Sequence, residues 1–388
     1  MVRLARTVAI AVTLIVIIAT LASRGGSQVS RAGSNRSGAD HSRASTGAAN
    51  LQIPAGGPYP LGTRTTSFTD SSRDIYLPGG KSEPRTLVVT VYYPAAAPTG
   101  GAPVDGAPPY RRNGPYPLIV FAPGFQQVPT TYAVLLEGWA RAGYVVAGIT
   151  FPLTNPNAPG GANEMDIANQ PADMTFVIGQ IEGQSASPGT PLTGMIDPKR
   201  VVVAGHSDGG DTAMAAAFNT CCRNATIAAA IILSGAELHE PGGSYFPAGS
   251  PPLLAVQGTS DPVNHPTFTE QLYSDDSTGP KYELLLQGAG PIDAYSTNDT
   301  FEKVVAAVTV DFLNGYLKGS QASLSAITRD GTVNGVASIQ RAIPQPGAAA
   351  TTTSSSQAPS STTTSVPAGS GTTVPNSSST TIFIPSAA

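Results

Sequence analysis

Val201-Val-Val-Ala-Gly205-His206-Ser207-Asp208-Gly209-Gly210 is the stretch that decides how the rest of the chain is read. An apolar strand runs into Gly-His-Ser-Asp-Gly, and a helix-forming stretch follows. A G-x-S-x-G pattern between strand and helix reads as a nucleophile elbow. Its two glycines let backbone pack closely around a sharp turn, which pushes the Ser207 hydroxyl into a cleft. The same turn aims the Asp208 amide at the space beside the serine. A helix N-terminus there adds partial positive charge where an oxyanion would form. The competing account is a chance glycine-rich turn.

Outward from the elbow, short apolar runs alternate with helical patterns. Tyr116–Ala122, Tyr144–Phe151, Val201–Ala204, Ile227–Leu233, Leu253–Val256 and Tyr282–Leu286 read as strands. Thr131–Ala142, Ala172–Ile181, Asp211–Phe218 and Phe301–Leu317 read as helices. Two earlier strands, Arg73–Leu77 and Thr86–Tyr93, flank a Pro-Gly-Gly turn. Apolar strands alternating with helices predict an α/β fold: a mostly parallel central sheet with helices on both faces. The segment between Leu233 and Leu253 is too short to hold a large helical lid, so an open cleft is expected.

A serine nucleophile needs partners, and the sequence supplies most of them. Pro123-Gly124-Phe125 follows the Tyr116–Ala122 strand, and the Phe125 amide is the candidate second oxyanion donor beside that of Asp208. Asp261, in Gln257-Gly-Thr-Ser-Asp261-Pro, is the candidate acid, late in the chain and directly after a buried strand. An Asp capping a loop before Pro262 is the alternative. The third member, a histidine, is expected after the Tyr282–Leu286 strand, but Gly288-Ala-Gly290 is followed there by Pro291. The four histidines are His41, His206, His239 and His265. His41 lies in a polar spacer, and the elbow turns His206 away from the cleft. His265, four residues past Asp261, and His239 are left as candidate substitute bases, with an exposed loop histidine as the competing account for each. Phe125, Trp139 and Tyr295 are aromatic candidates for lining an apolar cleft, with a site argument for Phe125 alone.

Composition bounds the rest. Residues 1–50 hold six arginines and one aspartate, so +5 there leaves −9 on the remainder of a chain of net charge −4. Arg3 and Arg6 precede an apolar run from Thr7 to Ala22, which reads either as a cleaved signal peptide or as an uncleaved membrane anchor within residues 1–23. Either places the folded part outside the cytoplasm, secreted or at the cell surface. Residues 24–57 read as a disordered spacer. Residues 343–388 form a Ser/Thr/Pro-rich tail that cannot bury enough apolar surface to order itself. The folded domain is expected over 58–342, as a monomer. No basic stripe or patch favours nucleic acid, and the chemistry outlined needs no metal and no organic cofactor. Cys221 and Cys222 are neighbours, read as two buried small side chains rather than a bonded pair.

The ordered set V-T-V-Y-Y-P, F-A-P-G-F, G-H-S-D-G-G, G-T-S-D-P-V and G-A-G-P-I-D resembles the α/β-hydrolase superfamily. It is most similar to the lidless branch of chlorophyllase-like, platelet-activating-factor acetylhydrolase-like and polyester (cutinase-like) hydrolases, of secreted actinobacterial type. The resemblance covers about residues 60–340. It implies Ser207 as nucleophile, Asp261 as acid, and the Phe125 and Asp208 amides as oxyanion donors, acting on a small-molecule or polymeric ester. Pro291 departs from the family pattern G-A-G-H. Two functions stay open: an exported serine hydrolase cleaving carboxylic esters through an acyl-enzyme on Ser207, and a non-catalytic cell-surface binding protein on the same fold.

Overall fold

In the computed structural model, residues 57–343 are described, apart from 240, 241 and 298. The expected signal peptide or anchor, His41, nearly all of the spacer and the Ser/Thr/Pro-rich tail lie outside the described residues.

Chain order is β1 (Leu61–Leu77), β2 (Lys81–Pro94), β3 (Val104–Asp105), β4 (Tyr116–Ala122), α1 (Ala133–Arg141), β5 (Val145–Thr150), α2 (Gln170–Ala186), β6 (Ile196–His206), α3 (Asp208–Phe218), β7 (Ile227–Leu233), β8 (Leu253–Gly258), α4 (Pro266–Asp275), β9 (Lys281–Leu286), α5 (Asp293–Ser296), α6 (Thr300–Lys318), α7 (Gln321–Asp330) and β10 (Ala337–Ala342). They build one sheet in the order β10-β9-β8-β7-β6-β4-β5-β2-β1-β3. The six strands from β5 to β9 run parallel, while β2, β1 and β10 join antiparallel. This bears out the expected mostly parallel α/β-hydrolase sheet.

All seven residues of β4 are buried, as an apolar run predicts for a strand covered on both sides. One face packs against α1 and α6, where Trp139, Leu135 and Phe312 meet Phe121, Val202 and Ile231. The other face packs against α2 and α3. At the sheet's far side β2 alternates, with Leu87, Val89 and Val91 buried and Val88 exposed, because only one of its faces is covered. Gly79 and Gly80 close the β1–β2 hairpin at φ 82° and 74°, the positive angles such a turn demands.

The hairpin is longer than Arg73–Leu77 and Thr86–Tyr93 suggested. Its extra length is mostly Thr, Ser, Arg and Asp around the buried Leu61 and Phe68, and backbone pairing holds this part of the strand more than apolar burial does. A buried ion cluster ties this hairpin down. Arg85 reaches Asp173 at 2.7 Å and Asp166 at 2.9 and 2.7 Å, which fixes the turn at Glu164–Asn169 beside α3. No helix occupies the described part of 234–252, so no large helical lid is present there among the described residues. None of the helices among the described residues is long and apolar enough to cross a membrane.

Candidate active site

Ser207 sits between β6 and α3 at φ 53°, ψ −126°, a left-handed conformation that a non-glycine residue adopts only when its surroundings impose it. The imposing contacts are backbone to backbone. A Cβ on Gly205 would lie 1.9 Å from the Gly209 carbonyl oxygen, and one on Gly209 would lie 2.0 Å from that of Ala122. The Ser207 amide donates to Leu233 O at 3.0 Å, and Ser207 O accepts from Asp211 at 3.0 Å. The elbow read from the sequence is therefore built.

The oxyanion loop stands against it. A Cβ on Gly124 would meet the Ser207 Cβ at 3.3 Å. The Gln126 and Gln127 amides are occupied, by Thr154 O and Gly124 O. The amide of half-buried Phe125, just before them, has no such partner among the described residues. The second donor is less free. The Asp208 carboxyl lies beside its own backbone N–H, and its Oδ2 is buried with no hydrogen-bond partner among the described residues. Burial, then Glu164 nearby, pushes that carboxyl up to about 6. One helical turn on, burial pushes the Asp211 carboxyl up to about 8, with Asp208 and Glu164 adding to it. Asp211 accepts the Ala236 amide at 2.6 Å.

His206 is buried, with both ring nitrogens occupied. Pro291 O accepts from Nε2 at 2.7 Å, so Nδ1 accepts from the Tyr132 hydroxyl at 2.8 Å. Tyr132 in turn receives the Gly124 amide at 3.2 Å. Burial pushes the imidazole down to about 4. It is a neutral strut joining the oxyanion loop, the elbow and residue 291, and it has no lone pair left for Ser207.

Asp261 is buried at the end of β8, where an acid is expected. Its Oδ1 accepts the Val263 and Asn264 amides at 2.8 and 2.9 Å, so it also caps the loop, as the alternative reading had it. Ser207 and Asp261 are brought together through a residue the sequence reading missed. Asn264 Nδ2 donates to Ser207 Oγ at 3.1 Å while its main-chain N–H donates to Asp261. Nothing in the local sequence marks this contact, which exists only across the fold. An amide nitrogen of this kind donates and cannot take the serine's proton.

His265 is not brought to Ser207. It is the exposed N-cap of α4, its Nδ1 facing Thr267 at 3.0 Å, which satisfies a helix end. The substitute base expected at that position is thereby corrected. His239 is also exposed; it lines a cleft of about 280 Å³ with Asp211, Glu237, Asn264, Phe268 and Leu272. No described histidine is hydrogen-bonded to Ser207. Trp139 and Tyr295 do not line a cleft either. Both are fully buried, tied to Thr309 and Ser234.

The loop leading to residue 291 is held against the end of β8. Ser260 donates to Ala289 O at 3.0 Å, Gly288 to Thr259 Oγ1 at 2.9 Å, and a Cβ on Gly258 would lie 2.6 Å from Ala289 O. The loop after β9 thus packs on the loop that carries the acid. No group of three or more His, Cys, Asp or Glu among the described residues is placed to hold a metal ion.

The chlorophyllase family model matches residues 82–239, a span holding the oxyanion loop and Ser207 but neither Asp261 nor Pro291. A ferulic acid esterase from Streptomyces cinnamoneus shares the fold with a TM-score of 0.51 and 23% identity, over 67% of this chain and 91% of that one. No curated protein matches the chain. The chain thus shares the α/β-hydrolase fold with that esterase, and residues 82–239 match the chlorophyllase family model.

Proposed function

We propose that this protein is an exported carboxylic-ester hydrolase that forms an acyl-enzyme on Ser207 and turns over slowly, because proline holds the place of its general base. The observation that carries this reading is the strained Ser207 at φ 53° with the Gly124–Phe125 loop against it. In acylation, Ser207 Oγ attacks the ester carbonyl carbon, the Phe125 and Asp208 amides receive the oxyanion, and its collapse breaks the ester C–O bond. The serine's proton goes to solvent water, which protonates the departing alkoxide so that it leaves as the alcohol. Asn264 steadies the attacking oxygen by donation. Hydrolysis of the acyl group then needs an activated water, and no described side chain is placed to take its proton. Loss of one triad member costs ~10⁴–10⁶ in turnover in well-studied serine proteases, while the oxyanion hole and binding retain ~10³ over water. Substrates with good leaving groups should therefore acylate the serine faster than the acyl group is released.

The test is hydrolysis of p-nitrophenyl acetate and butyrate by the full chain and by Ser207→Ala. Slow release that disappears in the variant supports the reading; equal rates end it. We place the protein outside the cytoplasm on the strength of its N-terminal residues, as a monomer acting on small-molecule or polymeric esters and either secreted or held at a membrane. A cell-surface binding protein on the same fold is the second reading, favoured by Pro291 and by the Asn264 contact that occupies Ser207. Both readings predict Ser207 in the cleft, and only the first predicts covalent chemistry there.

A further inference from the structure

Cys221 and Cys222 are bonded to each other, contrary to the expectation from sequence, and Cys221 is exposed. They stand just past the C-terminal end of α3, at the opposite end of that helix from Ser207. Asn219 builds the turn that holds them: its Oδ1 accepts the Cys221 amide at 3.0 Å, and its carbonyl accepts those of Cys222 and Arg223 at 3.1 and 2.9 Å. A second segment docks on this turn. Thr220 N–H donates to Ser244 O at 3.0 Å, Ser244 N–H returns to Thr220 Oγ1 at 2.9 Å, and Phe246 N–H donates to Phe218 O at 3.0 Å. Gly243 lies so close that a Cβ there would fall 2.0 Å from Asn219 Oδ1 and 3.0 Å from the Cys221 nitrogen. From the docked segment, the Tyr245 hydroxyl reaches back to Leu238 N and O at 2.7 and 3.0 Å. Leu238 sits between Glu237 and His239, which wall the cleft that also contains Asn264.

We propose that Cys221–Cys222 is a site of thiol–disulfide exchange with an external dithiol, and that its redox state governs the order of the 242–246 segment and, through Tyr245, the cleft wall at 236–239. A thiolate of the dithiol attacks one sulfur and breaks the S–S bond to give a mixed disulfide. The reagent's second thiol then displaces the remaining cysteine. Two electrons and two protons pass to the protein, leaving two thiols there and a cyclic disulfide on the reagent. Closing a ring across neighbouring residues restricts the 221–222 backbone, and opening it releases the turn onto which Gly243, Ser244 and Phe246 are fitted. The exchange and the segment's response are independent of the proposed esterase chemistry; only an effect on Ser207 rests on it.

The full chain is treated with dithiothreitol without denaturant, trapped with iodoacetamide and weighed intact, while hydrogen exchange is followed along the backbone. Before reduction no cysteine should alkylate, and after it both should. Amides of 242–246 and 236–239 should then exchange ~10-fold faster, with β4 and β6 unchanged. The Cys221→Ser/Cys222→Ser variant should match the reduced wild type. Fluorophosphonate labelling of Ser207 is read in both states. Alkylation before reduction, resistance to dithiothreitol, or unchanged exchange after reduction would each overturn the proposal. If the segment loosens while Ser207 labels in neither state, the exchange site stands and the nucleophile assignment fails.

Discussion

Pro291→His should convert a slow site into a fast one. The loop that carries residue 291 is already fixed. Its 291 carbonyl accepts from His206 at 2.7 Å, and its neighbour Ala289 accepts from Ser260 at 3.0 Å, one residue before Asp261. Asp261 commits Oδ1 to two amides, whereas its Oδ2 has only Gln257 Nε2 at 3.5 Å. One carboxylate oxygen is thus available to orient an imidazole. The gain from a restored base is bounded by ~10⁴–10⁶. Against it stands the Asn264 contact to Ser207, a hydrogen bond worth about 0.5–1.5 kcal/mol, or up to about tenfold. A rise of ~10³–10⁵ in turnover of p-nitrophenyl acetate is therefore expected. The rate should acquire a rise with pH near ~6.5, where an ordinary histidine loses its proton. Pro291→His/Ser207→Ala should return to background. No gain in a folded Pro291→His protein would show that the elbow, acid and oxyanion loop do not form a catalytic arrangement.

Arg85→Met should destabilise the fold by about 3–5 kcal/mol, because Asp166 and Asp173 stay buried without their cation. Arg73, 2.8 Å from Asp173, softens this for one of the two carboxylates only. At an m-value of about 3 kcal/mol/M the urea midpoint should fall by about 1–2 M, and an unchanged midpoint would refute the assignment. Asp211 is held about 8, above its ordinary 3.8, so the folded state keeps a proton that the unfolded state has released. Its contribution is present below about pH 4 and is lost as pH rises through about 8. Asp211→Asn, which still accepts from Ala236, should flatten the fall in Tm between pH 6.5 and 8.5; parallel curves would contradict this. Below pH 6.5 His206 acts in the opposite sense, since its pKa is depressed to about 4. Stability is lost there as the pH falls from 6.5 toward 4, and His206→Gln should remove that loss from an acid titration.

The parts legible in the sequence were those where one local requirement fixes the residue. Gly205 and Gly209 announce the elbow because backbone passes where any Cβ would lie. Ile227–Leu233 was readable end to end because a strand covered on both faces has nothing but apolar residues to show. The polar half of β1, the mostly polar α4 and α7, and the edge strand β10 carry no such mark, since pairing and capping hold them more than burial does. The site divides the same way. Ser207, Asp261 and the Phe125 loop follow from strand ends. The Asn264 contact, the helix-capping of His265 and the strut through His206 depend on which loops meet in space. Cys221 and Cys222 escape the sequence for a different reason: adjacency favours two separate buried side chains over a strained ring, and the turn at Asn219 accommodates the bond.

The most direct test is the intact mass of the full chain after brief exposure to p-nitrophenyl acetate, followed by peptide mapping. One acetyl group on Ser207, near one per molecule and slow to leave, is the predicted result. An unmodified Ser207, or acetylation confined to surface lysines, would contradict an activated serine at this elbow.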